Sequence, residues 1–141
     1  MTQVICATEP KYTSLIASNR SYMAYIPAVL IAAGIAVLCL MEMPPSEAPF
    51  PHSDKVVHGV MYLMLSVALM VPVSRQWASR VIPYVCVCVG SVAYGGLIEV
   101  LQQFCTRSRS GEITDLLADA AGALIGVLLV YGITKITNHK S

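Results

Sequence analysis

Three ionisable residues, Asp54, Lys55 and His58, stand with Tyr62 at the mouth of an apolar stretch, in S-D-K-V-V-H-G-V-M-Y at 53–62. Asp54, His58 and Tyr62 are four residues apart, so on a helix they share one face. An imidazole can exchange protons near neutral pH, because its unperturbed pKa is about 6.5. It can equally serve as a hydrogen-bonded fastener between helices. Glu99 and Gln102 lie near the end of a later apolar run, with Gln103 beside them. Glu99 is a candidate general base or the partner of an arginine. Arg107 and Arg109 follow in C-T-R-S-R-S-G-E-I-T-D at 105–115. Their planar guanidinium forks suit phosphate or another oxyanion, and equally a neighbouring carboxylate such as Glu112. Asp115 and Asp119 open the last apolar run on one helical face. Thr114 or Asp115 has the chemistry of a helix N-cap, whereas Asp119 lies too deep for capping to explain it. The residues with chemistry are therefore His58 and Glu99 for acid–base work. Asp54, Lys55, Tyr62, Gln102, Arg107, Arg109, Asp115 and Asp119 would surround a ligand.

These groups sit in a chain with very little other charge. It has 141 residues, 56% hydrophobic and 12% charged, with mean hydropathy +0.67. Soluble domains carry about 25% charged residues, so this composition belongs in lipid. A net charge of +1 offers nucleic acid no basic surface. Four apolar runs approach the roughly 20 residues that cross a bilayer. They cover about 22–41, 56–73, 81–104 and 116–136, with Pro27 and Pro83 in the first turns of two of them. No run alternates as a barrel strand would. The first is read as a retained helix, since polar residues 1–21 precede it and no A-x-A site follows. One membrane domain at 22–136 is expected, between a polar segment at 1–21 and a short tail at 137–141.

No cofactor or metal is read from the pattern. The five cysteines are an odd number, and Cys86 and Cys88 lie in an apolar run without a nearby His. The Asp115–Asp119 pair alone has too few oxygens for a cation. No serine lies in a nucleophile elbow or a Ser–Lys motif.

Orientation follows from Lys and Arg in short loops. Lys11, Arg20, Arg75, Arg80, Lys135 and Lys140 fall on one side of a four-helix chain. That side is assigned to the cytoplasm, together with both termini. The expected fold is all-α, a bundle of four transmembrane helices. Arg107 and Arg109 fall on the outer side against the rule, which calls for a paired carboxylate or an anionic ligand there. With this topology every candidate residue gathers at the outer end, with Glu99 and Asp119 about 5–10 Å inside their helices. Gly122 and Gly126 continue the Asp115–Asp119 stripe as a small-xxx-small pattern, so that face meets another helix. Carboxylates at that depth are better tolerated when they pair with one another.

Four motifs in order resemble the VanZ-like family of small bacterial membrane proteins. They are D-K-x-x-H-x-x-x-Y from Asp54 to Tyr62 and Y-G-x-x-x-E-x-x-Q from Tyr94 to Gln102. R-S-G-E-x-x-D from Arg109 to Asp115 follows, and then G-x-x-x-G at Gly122 and Gly126. Asp119 stands where the family usually has Asn. The resemblance implies a multi-pass protein of the bacterial cytoplasmic membrane and a link to glycopeptide resistance, chiefly to teicoplanin. Three functions fit the residues. The outer pocket could bind membrane lipid, specifically an anionic lipid or a lipid-linked cell-wall intermediate. It could modify a lipid headgroup by His58 and Glu99 acid–base chemistry. Or its polar groups could only fasten a small bundle.

Overall fold

The computed structural model describes residues 22–41, 53–106 and 112–139. They form four helices and no strand: α1 Ile26–Leu40, α2 Ser53–Trp77, α3 Ile82–Cys105 and α4 Ile113–His139. The last three are long and apolar enough to cross a membrane. At 24 to 27 residues each, they measure about 36–40 Å, against a hydrocarbon core of about 30 Å.

The first helix is shorter than the run that encodes it. Only 15 residues, Ile26–Leu40, are α-helical, or about 22 Å. Tyr22–Tyr25 makes a separate turn, in which the Tyr25 N–H donates to the Tyr22 carbonyl at 3.0 Å. Pro27 then sits in the first turn, where a missing N–H does no harm. At the other end Met41 swings into extended backbone. The second helix runs past the expected Val73 to Trp77, with buried Pro72 inside it. Pro72 has no N–H for the Ala68 carbonyl, yet the helix continues. The fourth begins at Ile113, three residues earlier than the apolar run.

The helices are apolar outside, and several of their polar side chains are buried inside. Leu30, Val85, Val89, Leu128 and Ile133 are among many exposed aliphatic side chains, while His58, Ser66, Ser91, Glu99, Gln102, Asp115 and Asp119 are buried. In water such an outer surface would drive association; in lipid it is the solvated face.

The tightest packing joins α2 to α4, which run parallel. Gly122 lies against the backbone of Gly59, and Gly126 against the Leu63 carbonyl and Ser66. The glycine stripe expected at 122 and 126 does face a helix, and its partner carries a glycine of its own. α3 runs antiparallel between them. Its Ser91 is bonded by Ser66 Oγ at 3.2 Å. α1 rests on α2 and α3 through Ile35 and Cys39 against Met61, Tyr62, Leu65 and Ile98. Two side chains of α3 reach the carbonyls of α1. Tyr94 Oη donates to Ala32 O at 2.7 Å and Gln102 Nε2 to Cys39 O at 2.9 Å. At the far end Met70, Tyr84 and Val127 form a second core, with Tyr131 edge-on to Tyr84.

Candidate functional site

Three helix ends meet at one end of the bundle: the starts of α2 and α4 and the end of α3. His58 is five residues from Ser53, Asp119 six from Ile113 and Glu99 six from Cys105. All three therefore lie about 8–9 Å inside their helices. Their side chains converge. His58 Nδ1 is 3.0 Å from Asp119 Oδ1 and 3.7 Å from Glu99 Oε1. His58 and Asp119 are 2% and 1% exposed and Glu99 is 8% exposed.

Each member is held from behind. The Glu112 N–H donates to Glu99 Oε2 at 2.9 Å. The Glu112 carbonyl in turn accepts from the N–H groups of Asp115 and Leu116, opening α4. Glu99 thus captures one of the free amides that every helix start presents. Its other oxygen, Oε1, is buried without a hydrogen-bond partner among the described residues. Asp119 fits because Gly95 of α3 has no side chain: a Cβ there would lie 2.7 Å from Asp119 Oδ2. One turn from His58 on the same face, the fully buried Tyr62 hydroxyl also has no hydrogen-bond partner.

A rim surrounds this core. Lys55 Nζ is 3.1 Å from both Glu112 Oε2 and Asp115 Oδ1. Asp115 is buried and Glu112 exposed. The exposed Asp54 brings a carboxylate oxygen within 4.8 Å of ligand atoms of His58 and Asp115. Neither Thr114 nor Asp115 is the N-cap expected from the sequence. Because α4 starts at Ile113, both lie inside its first turn; Thr114 Oγ1 donates to Glu112 Oε2 at 3.0 Å and Asp115 pairs with Lys55.

Gln102, expected among the ligand-binding residues, is buried and spends an amide N–H on the Cys39 carbonyl of α1. Arg107 and Arg109 lie outside the described residues. Glu112, Gly59 and Gly95 were not singled out as members of the site. The signal for Gly95 was its place in Y-G-x-x-x-E, one turn before Glu99.

Grooves flank α4 on both sides. One of about 400 Å³ opens between α3 and α4, with Glu99 and Glu112 at its polar end and Val100, Phe104, Ile113 and Leu116 along its wall. Another, of about 290 Å³, runs between α2 and α4 from Lys55 past Val60 and Leu63 to Ile125.

The ammonium of Lys55 and then the Thr114 hydroxyl hold the Glu112 carboxyl below the usual carboxylate range. A depressed folded pKa adds stability that is present above the unfolded value of about 4.3 and is lost as pH falls through the folded one. Lys55→Ala is expected to return Glu112 upward to the ordinary range. NMR titration of carboxyl-labelled glutamate reads this; an unmoved Glu112 midpoint would show that Lys55 does not set it.

A model described as VanZ/LLP1 matches residues 11–135. The chain belongs to the VanZ/LLP1 family. Comparison with curated proteins and with solved structures returned no match. The family match spans α1 to α3 and α4 as far as residue 135, so the VanZ/LLP1 assignment covers every residue that builds the site. With three helices suited to spanning a bilayer and an aliphatic outer surface, this VanZ/LLP1 chain is a membrane protein.

Proposed function

We propose that this protein is a multi-pass component of a bacterial cytoplasmic membrane, with both termini in the cytoplasm and its polar site toward the cell exterior. The site binds an anionic lipid or a lipid-linked envelope component. The observation that carries this reading is the groove between α3 and α4, polar at Glu99 and Glu112 and apolar from Val100 to Leu116. That lining suits an amphiphile, with its headgroup at the cluster and its chain along the aliphatic wall. The depth of the cluster, about 8–9 Å inside the helix ends, is where a headgroup meets hydrocarbon. Lys55 is engaged by two carboxylates, so selection of phosphate falls to Arg109 and Arg107 in the loop that joins α3 to α4. Engagement of an envelope component at this face would give the protein its link to teicoplanin-type glycopeptide resistance.

Native mass spectrometry of gently solubilised wild type beside Arg109→Ala tests the reading. The wild type is expected to retain anionic lipid selectively, and the variant to lose that selectivity. Indifferent lipid in both would overturn it.

A second reading has one observation in its favour: Asp119 orients the His58 imidazole while Glu99 Oε1 stands 3.7 Å away without a hydrogen-bond partner. An imidazole and a carboxylate so placed can share proton transfer on a lipid headgroup. Turnover of labelled lipid, lost in His58→Gln, would establish it.

A further inference from the structure

His58, Glu99 and Asp119 come from three different helices, yet each offers a ligand atom within 4.8 Å of the other two. We propose that this triad is a binding site for one divalent transition-metal ion of the zinc or manganese type.

The distances fit. Zinc bonds to imidazole nitrogen and carboxylate oxygen run about 2.0–2.2 Å, so tetrahedral ligand atoms stand about 3.3–3.5 Å apart. The His58 Nδ1 separations of 3.0 Å to Asp119 and 3.7 Å to Glu99 bracket that span. The donor set fits as well. One imidazole with two carboxylates is the mixed nitrogen–oxygen ligation that such ions accept, and three protein ligands leave a coordination position open.

Two further observations point to a ligand. Glu99 Oε1, on a side chain more than nine-tenths buried, faces His58 with no hydrogen-bond partner. Buried carboxylate oxygens are ordinarily satisfied, so this orphan beside an imidazole calls for a partner, and an ion is one that would serve. The Tyr62 hydroxyl is also buried and unpartnered, one turn along α2. It lies on the same face of α2 as His58.

Charge agrees with geometry. Among the described residues one imidazole faces two buried carboxylates, and Lys55 is engaged by Glu112 and Asp115. A divalent ion balances the pair, and its open position would take a phosphate oxygen. The supporting shell is present. The Glu112 amide fixes Glu99. Asp54 and Asp115 each bring a carboxylate oxygen within 4.8 Å of a His58 ring nitrogen. Metal binding by the triad stands without the lipid reading, although a metal-held phosphate would explain how an acidic site retains an anionic lipid.

The test uses the full chain in detergent, stripped with chelator and titrated separately with Zn²⁺ and Mn²⁺. Elemental analysis and calorimetry are expected to find one ion per chain. Asp119→Asn and Glu99→Gln should each weaken binding by about 100-fold or more, since even supporting-shell changes weaken metal sites 10–100-fold. X-ray absorption on loaded wild type is expected to show nitrogen and oxygen neighbours with one imidazole, a readout that needs no variant to fold. No tight ion in the wild type, sulfur ligation from the cysteines, or unchanged affinity in both variants would each overturn the site. Arg109→Ala separates the two ideas. If wild type and variant both hold the metal and neither selects anionic lipid, the lipid reading falls and the metal site stands. Selective lipid retention by metal-free wild type that cannot be loaded would do the reverse.

Discussion

Gly122→Ala is expected to lower the stability of the bundle by about 2–3 kcal/mol, the upper part of the roughly 1–3 kcal/mol usual for overpacking a tight core. A Cβ at Gly122 would overlap the carbonyl oxygen of Gly59, with the Gly59 carbonyl carbon at 2.8 Å and its Cα at 3.0 Å. These are backbone atoms of the facing helix, so no rotamer change relieves the contact. Either α4 moves away from α2 or α2 bends. Both movements spoil the same register that sets Asp119 against His58, because His58 adjoins Gly59 and Asp119 lies three residues before Gly122. Loss of site function should therefore accompany the loss of stability. Thermal melting in detergent of Gly122→Ala beside Gly132→Ala measures the first effect. Gly132 has no neighbouring atom within 4 Å of an added Cβ, so its variant should melt no lower than wild type. Equal melting of all three proteins would mean that α2 and α4 are not packed through their glycines.

That register also explains which parts of the site could be read from sequence. The polar residues of each helix were visible as stripes: Asp54, His58 and Tyr62 on one, Asp115, Asp119, Gly122 and Gly126 on another. Alternating up-and-down helices then required the stripes to meet at a common end. What a stripe does not carry is axial register. Asp115 and Asp119 share a face, about 6 Å apart along the axis, and either could have met His58. The choice of Asp119 follows from Gly59 against Gly122, a contact between two glycines in separate helices. Glu99 was visible as a misplaced charge, but its partner was not. The bond it makes goes to the Glu112 backbone, which has no side-chain signature. The N-cap differs from the expectation for a related reason. Apolar periodicity begins at Leu116, while the backbone turns helical at Ile113, ahead of it. The shortness of α1 likewise reflects a local backbone turn at Tyr22–Tyr25 within an unbroken apolar run.

Asp119→Ala is expected to be the most damaging single change in the site, at about 3–5 kcal/mol, because it strands one member of a buried pair. The His58 imidazole at 2% exposure would lose the carboxylate 3.0 Å away, and a void would open beside Gly95. The double variant His58→Leu, Asp119→Leu separates the possible reasons for that loss. Leucine has the branched outline of aspartate, and removing both members of the pair together avoids stranding either, while Glu99 keeps the Glu112 amide. If the pair only fastens α2 to α4, the double variant should recover most of the stability and keep whatever phenotype the protein confers. If the pair holds a ligand, the double variant should again recover stability but remain without metal, lipid selectivity and phenotype. Melting temperature and abundance, measured beside phenotype, tell these apart. A polar cluster built at bilayer depth from three helices is an expensive fastener, since apolar side chains of similar volume would join α2 to α4 without removing charges from water. Its place beside the groove between α3 and α4 is therefore better explained by what it holds than by what it ties, and a double variant that kept its phenotype would reverse that conclusion.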